Sequence, residues 1–350
     1  MRKTISAFLA LLLLCPVRPA ASALDEPEIS ARSAVVMGRD GSLVFALEPD
    51  ERRAVASTTK IMTALLVIEN CDLSEEVEIR AECCGIEGSS AYLKAGERCT
   101  VRELLLGLLL VSGNDAAAAL ACHCAGSEEA FVARMNEKAS ELGMTNTHFA
   151  NPHGLSAEDH YSTARDMAKL MLAAMEQPVF AELIALRSAD AGGRTWINHN
   201  RLLDRCEGCL GGKTGFTKAA GRCLVSCVER DGTRFVCVTL SAPDDWNDQL
   251  RLYDWAFARF EERVVSVDEL GFSVPVFGGS EKSVPVRVTE PIRVLVPRGS
   301  ELTVQAELPY FVFAPVAMGS PAGRLSVSVD GQLLCSRTLV YGRSVFVSLR

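Results

Sequence analysis

Hairpin patterns bracket a run of helical patterns in this chain, and few architectures accept that order. Residues 34–37 and 43–47 are apolar runs around Asp40-Gly41, a turn pair that favours a β-hairpin. Helical periodicity then takes over. It predicts a helix over 59–70 with Ser57 as its cap, a polar stretch over 72–100, and helices over 101–111, 116–122, 127–142 and 162–176. From Gly211 the chain returns to β, with runs at 223–229 and 234–240 joined through Asp231-Gly232. A helix over 244–262 follows, carrying Trp246, Leu250, Tyr253, Phe257 and Phe260 on one side. Strands at both ends of a helical block imply an α+β domain, one antiparallel sheet with helices packed on it.

Beyond 264 no helical pattern remains. Short alternating runs at 274–277, 284–288, 292–296, 302–308, 325–329 and 333–340, with a third Asp-Gly turn at Asp330-Gly331, predict a small β-sandwich or barrel. The expected organisation is a leader at 1–23, a first domain at 24–263 and an all-β domain at 264–350; two domains suit 350 residues.

The leader is read from Arg2 and Lys3, a short apolar run over 5–15, and Ala21-Ser22-Ala23, after which Leu24 begins the mature chain. That run is shorter than the roughly 20 residues a spanning helix needs, which disfavours an uncleaved anchor. Leu14 before Cys15 disfavours a lipoprotein. The expected location is extracytoplasmic. A net charge of −8 excludes nucleic acid as a partner, because phosphate binding needs a basic surface.

Export permits disulfides, and twelve of the thirteen cysteines lie beyond Cys15. Yet the chain is much longer than domains that depend on such staples. Cys122-His123-Cys124 and Cys206-x-x-Cys209 have metal-like spacing. Adjacent positions of a helix do not face each other, so no metal is expected at 122–124. Most of the cysteines read as small buried apolar residues.

Three polar clusters carry chemistry. In Ser57-Thr58-Thr59-Lys60, positions i and i+3 of a helix share a face, which brings the Lys60 amine to the Ser57 hydroxyl. A serine needs a base to become a nucleophile, and lysine is one only if burial or a second cation lowers its pKa. Composition alone supplies Ser-x-x-Lys about once in such a chain, so the cluster gains meaning from its companions. Ser112-Gly113-Asn114, in a loop between helical runs, offers a proton relay in Ser112 and, in Asn114, a group to hold a substrate amide or orient a lysine; taken alone, an ordinary helix-to-helix turn explains it better. Lys213-Thr214-Gly215 begins a β-run. An edge strand there pairs with an extended peptide, Lys213 and Thr214 receive a carboxylate, and Gly215 allows close approach. Such a triplet arises by composition about once in ten chains.

The three clusters in this order match the set of penicillin-binding proteins and related β-lactamases. With Val55–Ala64, Ser112-Gly113-Asn114-Asp115-Ala116, Asn151-Pro152-His153-Gly154-Leu155 and Gly212-Lys213-Thr214-Gly215-Phe216-Thr217, the chain resembles the low-molecular-mass D-alanyl-D-alanine carboxypeptidases over nearly its whole mature length. The resemblance implies a β-lactamase/transpeptidase-like domain with an all-β C-terminal domain. It also implies that Ser57 forms the acyl-enzyme, Lys60 takes its proton, Ser112 protonates the leaving D-alanine and Asn114 fixes this network. Lys213 and Thr214 hold the carboxylate, beside Gly215, and backbone N–H groups of Ser57 and of the strand near Phe216 form an oxyanion hole. The implied substrates are peptidoglycan pentapeptide stems, with β-lactams as covalent inhibitors and no metal or organic cofactor.

Two features depart from that pattern. The chain closes on a strand-like run at 345–350, where several family members have an amphipathic helix, which leaves peripheral membrane association open. Cys206 and Cys209 stand just before Lys213, where a disulfide would shape the cleft rim. His153 and Asp115 read as a turn residue and a helix-start charge. The rival readings are a β-lactamase, which would need a carboxylate base although this chain has no clear glutamate motif between Asn114 and Lys213, a cross-link endopeptidase, and a non-catalytic wall-peptide or penicillin binder.

Overall fold

The computed structural model describes residues 26–348, so the expected leader lies outside the described residues. Its first part is built on a five-stranded antiparallel sheet of β1 (Ser33–Gly38), β2 (Leu43–Leu47), β3 (Cys209–Thr217), β4 (Gly221–Arg230) and β5 (Thr233–Leu240), in the order β2-β1-β5-β4-β3. The hairpins form where the turn chemistry predicts them. Asp231 and Gly232 both have positive φ (49° and 77°), the geometry of a two-residue turn between twisted strands.

Among the described residues, seven helices of seven residues or more belong to this part, with a four-residue helical turn at Leu202–Arg205 beside them: α1 (Lys60–Asn70), α2 (Val101–Leu109), α3 (Asn114–Ala125), α4 (Glu128–Glu141), α5 (Ala164–Met175), α6 (Pro178–Ile184) and α7 (Asp245–Arg259). Alternation along the strands decides which covers what. Val35, Met37, Val225, Cys227, Val236 and Val238 pack with the α1–α6 block. Ala34, Val36, Leu224, Val228, Phe235 and Cys237 pack against Leu252, Tyr253, Ala256 and Phe257 of α7. With both faces buried, β4 and β5 read as nearly continuous apolar runs in the sequence.

Ser57 does not cap α1. It lies in a 3-10 turn, Ala56–Thr59, ahead of the helix, and makes no side-chain cap bond. Asn114 is the first residue of α3, not a loop residue. The last helix ends at Arg259, earlier than its periodicity suggests. Phe260 instead opens β6 (Phe260–Val265), because its backbone pairs with the later strand Ile292–Pro297 (Phe260↔Pro297 to Val265↔Ile292). β6 thus runs through residue 263. A short hairpin, Ser188–Ala191 with Arg194–Ile197, forms where the sequence pattern set no expectation; Gly192 and Gly193 make its turn at φ 57° and 70°.

The rest is all-β, with a six-stranded sheet and the β6 pair enclosing a separate core that includes Val274, Val284, Ile292, Val294, Leu325, Val327 and Leu339. The architecture is α+β with an all-β C-terminal part. Among the described residues no helix is long and apolar enough to cross a membrane.

Candidate active site

The site lies where the start of α1, the loop before α3 and the edge strand β3 converge. Ala56, at φ 48°, holds a left-handed conformation unusual for a residue with a side chain. Two glycines press on the backbone that follows. A Cβ on Gly154 (φ 88°) would stand 2.0 Å from Ala56 O, and one on Gly215 would stand 3.0 Å from Ser57 N. Ser57 is therefore clamped between the Asn151–Leu155 turn and β3, half-exposed at the base of a cleft of about 730 Å3.

Lys60, one helical turn on, is fully buried. Its Nζ lies 3.0 Å from Ser57 Oγ, 2.6 Å from Asn114 Oδ1 and 2.7 Å from His153 O. Asn114 Oδ1 and the carbonyl can only accept, so they take two Nζ hydrogens. In the neutral amine the remaining lone pair faces Ser57, whose hydroxyl then donates to it. Burial holds Lys60 well below the usual lysine range, the Lys213 cation adds to this, and Asp115 opposes it.

Ser112 has φ 62°, and its Oγ is a buried polar atom without a hydrogen-bond partner. It lines the same cleft. Asn114 Nδ2 donates to Glu87 O at 2.5 Å and its backbone N to Ser89 O, tying the 87–89 loop to α3. On β3, Thr214, Gly215 and Phe216 line the cleft, with Phe216 exposed. Lys213 is buried, donates to Thr214 O at 3.0 Å, and is pushed down to about 7 by burial. β3 is an edge of the sheet, so its outer backbone groups are free to pair with an extended ligand.

Sequence reasoning missed several contributors. The Asn-Pro-His-Gly segment is a turn, with Asn151 Oδ1 accepting from Gly154 N at 2.7 Å, but its working group is the His153 carbonyl on Lys60. The imidazole, pushed down to about 4 by burial and by Lys60, stays neutral. Turn chemistry signals a glycine at 154; nothing local signals what packs against it. Asp115 is more than a helix-start charge. It accepts from Ala91 N (2.8 Å), Leu93 N (3.1 Å) and Ser90 Oγ (2.6 Å), anchoring the loop along one wall. Asp115→Ala orphans these donors, and we expect a loss of about 3 kcal/mol. Because Asp115 raises the Lys60 pKa, the acid limb of the activity profile should also move to lower pH; thermal unfolding and a pH–rate profile check both.

All twelve described cysteines are free. Cys206 Sγ meets Arg230 and Glu207 O, and Cys209 Sγ meets Gly211 O, so the rim carries two separate thiols rather than a bridge. Among the described residues no group of three or more His, Cys, Asp or Glu is arranged to hold a metal.

A family model described as D-alanyl-D-alanine carboxypeptidase (peptidase family S11) matches residues 20–244. The chain belongs to this family. A second model, the C-terminal domain of penicillin-binding protein 5, matches residues 262–346. The D-alanyl-D-alanine carboxypeptidase DacF of Bacillus subtilis is 33% identical over 95% of this chain and 92% of its own length. DacB2 of Mycobacterium tuberculosis is 38% identical over 69% and 87%. Penicillin-binding protein 5 of Haemophilus influenzae superposes with a TM-score of 0.80 at 29% identity, covering 92% of this chain and 99% of that one. As a member of the D-alanyl-D-alanine carboxypeptidase family, the chain is a hydrolase of the serine D-Ala-D-Ala carboxypeptidase type.

Proposed function

We propose that this chain removes the terminal D-alanine from peptidoglycan pentapeptide stems through an acyl-enzyme on Ser57. The observation that carries this is the 3.0 Å contact between Lys60 Nζ and Ser57 Oγ, with two Nζ hydrogens held by Asn114 and His153 O. Neutral Lys60 takes the Ser57 proton as Oγ attacks the carbonyl between the two D-alanines. Backbone N–H groups of Ser57 and Phe216 receive the oxyanion. Ser112, whose hydroxyl has no other partner, gives its proton to the departing amine and recovers one from Lys60, which returns to the neutral amine as the C–N bond breaks. Water then attacks the ester, releasing the shortened stem and regenerating Ser57. Thr214 and Lys213 hold the terminal carboxylate, and β3 pairs with the peptide. β-Lactams acylate Ser57 by the same route.

The carboxylates beside the site favour this over a β-lactamase. Asp115 is occupied by its loop donors and Asp245 is paired with Arg222 at 2.8 Å, leaving neither to activate a deacylating water. We assign 24–259 to the catalytic domain and 260–350 to the β domain of an exported protein, moving the expected boundary from 263 to the start of β6, which pairs along its whole length with Ile292–Pro297.

The test is D-alanine release from diacetyl-lysyl-D-alanyl-D-alanine, with covalent labelling by fluorescent penicillin. Both are expected. Labelling without release would point to an endopeptidase or a binder, and absence of both would overturn the assignment.

A pH dependence follows. Lys60 must be neutral, a form gained as pH rises, whereas Lys213 must be charged, a form lost as pH rises through about 7. kcat/KM reports the free enzyme, so its alkaline limb should fall near that value, carried by KM. In Lys213→Arg the cation cannot titrate and the limb should vanish; an unchanged limb would assign it elsewhere.

A further inference from the structure

α1 and α3 leave the site side by side. Lys60 opens the first, Asn114 the second, and their side chains are bonded at 2.6 Å. The far ends of the same helices meet too. Cys71 terminates α1, its N–H donating to Val67 O, and Cys124 lies in the last turn of α3. Cys71 and Cys124 pack against the same core at matched heights, eleven and ten residues on from the bonded Lys60 and Asn114, and each thiol is an electrostatic neighbour of the other; both are half-buried, within reach of a reagent. We propose that Cys71 and Cys124 form a disulfide, closed by exchange with a small-molecule or protein disulfide, that ties α1 to α3 at the end opposite the Lys60–Asn114 bond.

The two thiols are unequal. Arg134, whose guanidinium donates to Cys124 O at 3.2 Å, favours the thiolate at Cys124 against desolvation, while burial and the Glu75 carboxylate disfavour it at Cys71. Cys124 is then the attacking thiolate. It attacks one sulfur of the oxidant disulfide and expels a thiolate, which takes up a proton. Cys71 gives up its own proton and attacks Cys124 Sγ, expelling the second thiol. Two thiols and one disulfide become one disulfide and two thiols, with the oxidant reduced.

The neighbouring cysteines do not compete for the same role. Cys122, two residues earlier on α3, contacts Cys83, and the intervening His123 pairs with Glu75 at 3.0 Å. Cys122 and Cys124 therefore face different flanks of the helix.

The full chain, treated with oxidised glutathione or with dithiothreitol, is digested without reduction and mapped by mass. The oxidised sample should yield a 71–124 cross-linked peptide two hydrogens lighter. In a Cys83→Ser background, which silences the neighbouring pair, its thermal midpoint should exceed the reduced form's by about 5–10 °C, because the link closes a loop of about 50 residues. Cys71→Ser removes the resolving thiol, so Cys124 should accumulate as a glutathione adduct. Recovery of both cysteines as free thiols or separate adducts in the folded wild type, or Cys124 joined to another cysteine, would overturn the proposal. None of these readouts depends on catalysis.

Discussion

Ser57→Ala is expected to lower D-alanine release by about 10^4-fold or more, by analogy with loss of the nucleophile in other serine hydrolases. The covalent penicillin adduct should disappear altogether. Both losses should occur in a folded protein. Ser57 is half-exposed and its Oγ bonds to Lys60 Nζ, which keeps Asn114 Oδ1 and His153 O as partners. A thermal midpoint within about 2 °C of wild type would therefore accompany the catalytic loss. An adduct that persists in Ser57→Ala would show that another nucleophile reacts, and would remove the basis of the mechanism.

The second large effect is expected at a residue that takes no part in bond making. In Gly154→Ala, the added methyl has nowhere to go: its position lies 2.0 Å from Ala56 O and 2.9 Å from Ser57 N, both main-chain atoms that no rotamer change can move. The backbone at 154, with φ 88°, also sits where a residue with a Cβ is strained. Strain and overlap together should cost about 3–5 kcal/mol. The relief available is a shift of the Ala56–Ser57 segment away from the turn, which moves Ser57 relative to Lys60. A displacement near 1 Å costs about 10^2-fold in rate, so acylation by penicillin should slow by at least that much. Stopped-flow acylation and thermal unfolding measure the two parts. Unchanged acylation would mean that the turn yields and Ser57 does not.

These two residues also mark how far the sequence could be read. The Asp-Gly turns at 40–41, 231–232 and 330–331 are local chemistry, and the hairpins form there. The helical block, with strands before and after it, led to the observed α+β fold. The Ser57–Lys60 spacing, likewise, is a property of one helical turn. What escaped prediction depends on residues distant in sequence. The 3-10 turn that replaces a Ser57 cap is set by Gly154 and Gly215 pressing from two directions. Helix α7 stops at Arg259 because the strand that pairs with Phe260 comes some 30 residues later. The loop-holding role of Asp115 depends on donors more than 20 residues before it. Local patterns carry no record of such partners.

The sheet order has a consequence for how the protein is made. β1 occupies an interior position, flanked by β2 and by β5, with Ser33 opposite Leu240. A chain delivered from its N-terminus, at about 5–20 residues per second where export keeps pace with synthesis, presents β1 and β2 roughly 10–40 s before β5. For that interval the emerging hairpin has an apolar edge and no neighbour, and the serine on the next segment lacks β3, whose Gly215 packs against its main chain. Assembly is thus gated by the late strands. Reactivity towards penicillin should switch on as the final step of folding the first domain, making the drug a clock for biogenesis as well as a ligand.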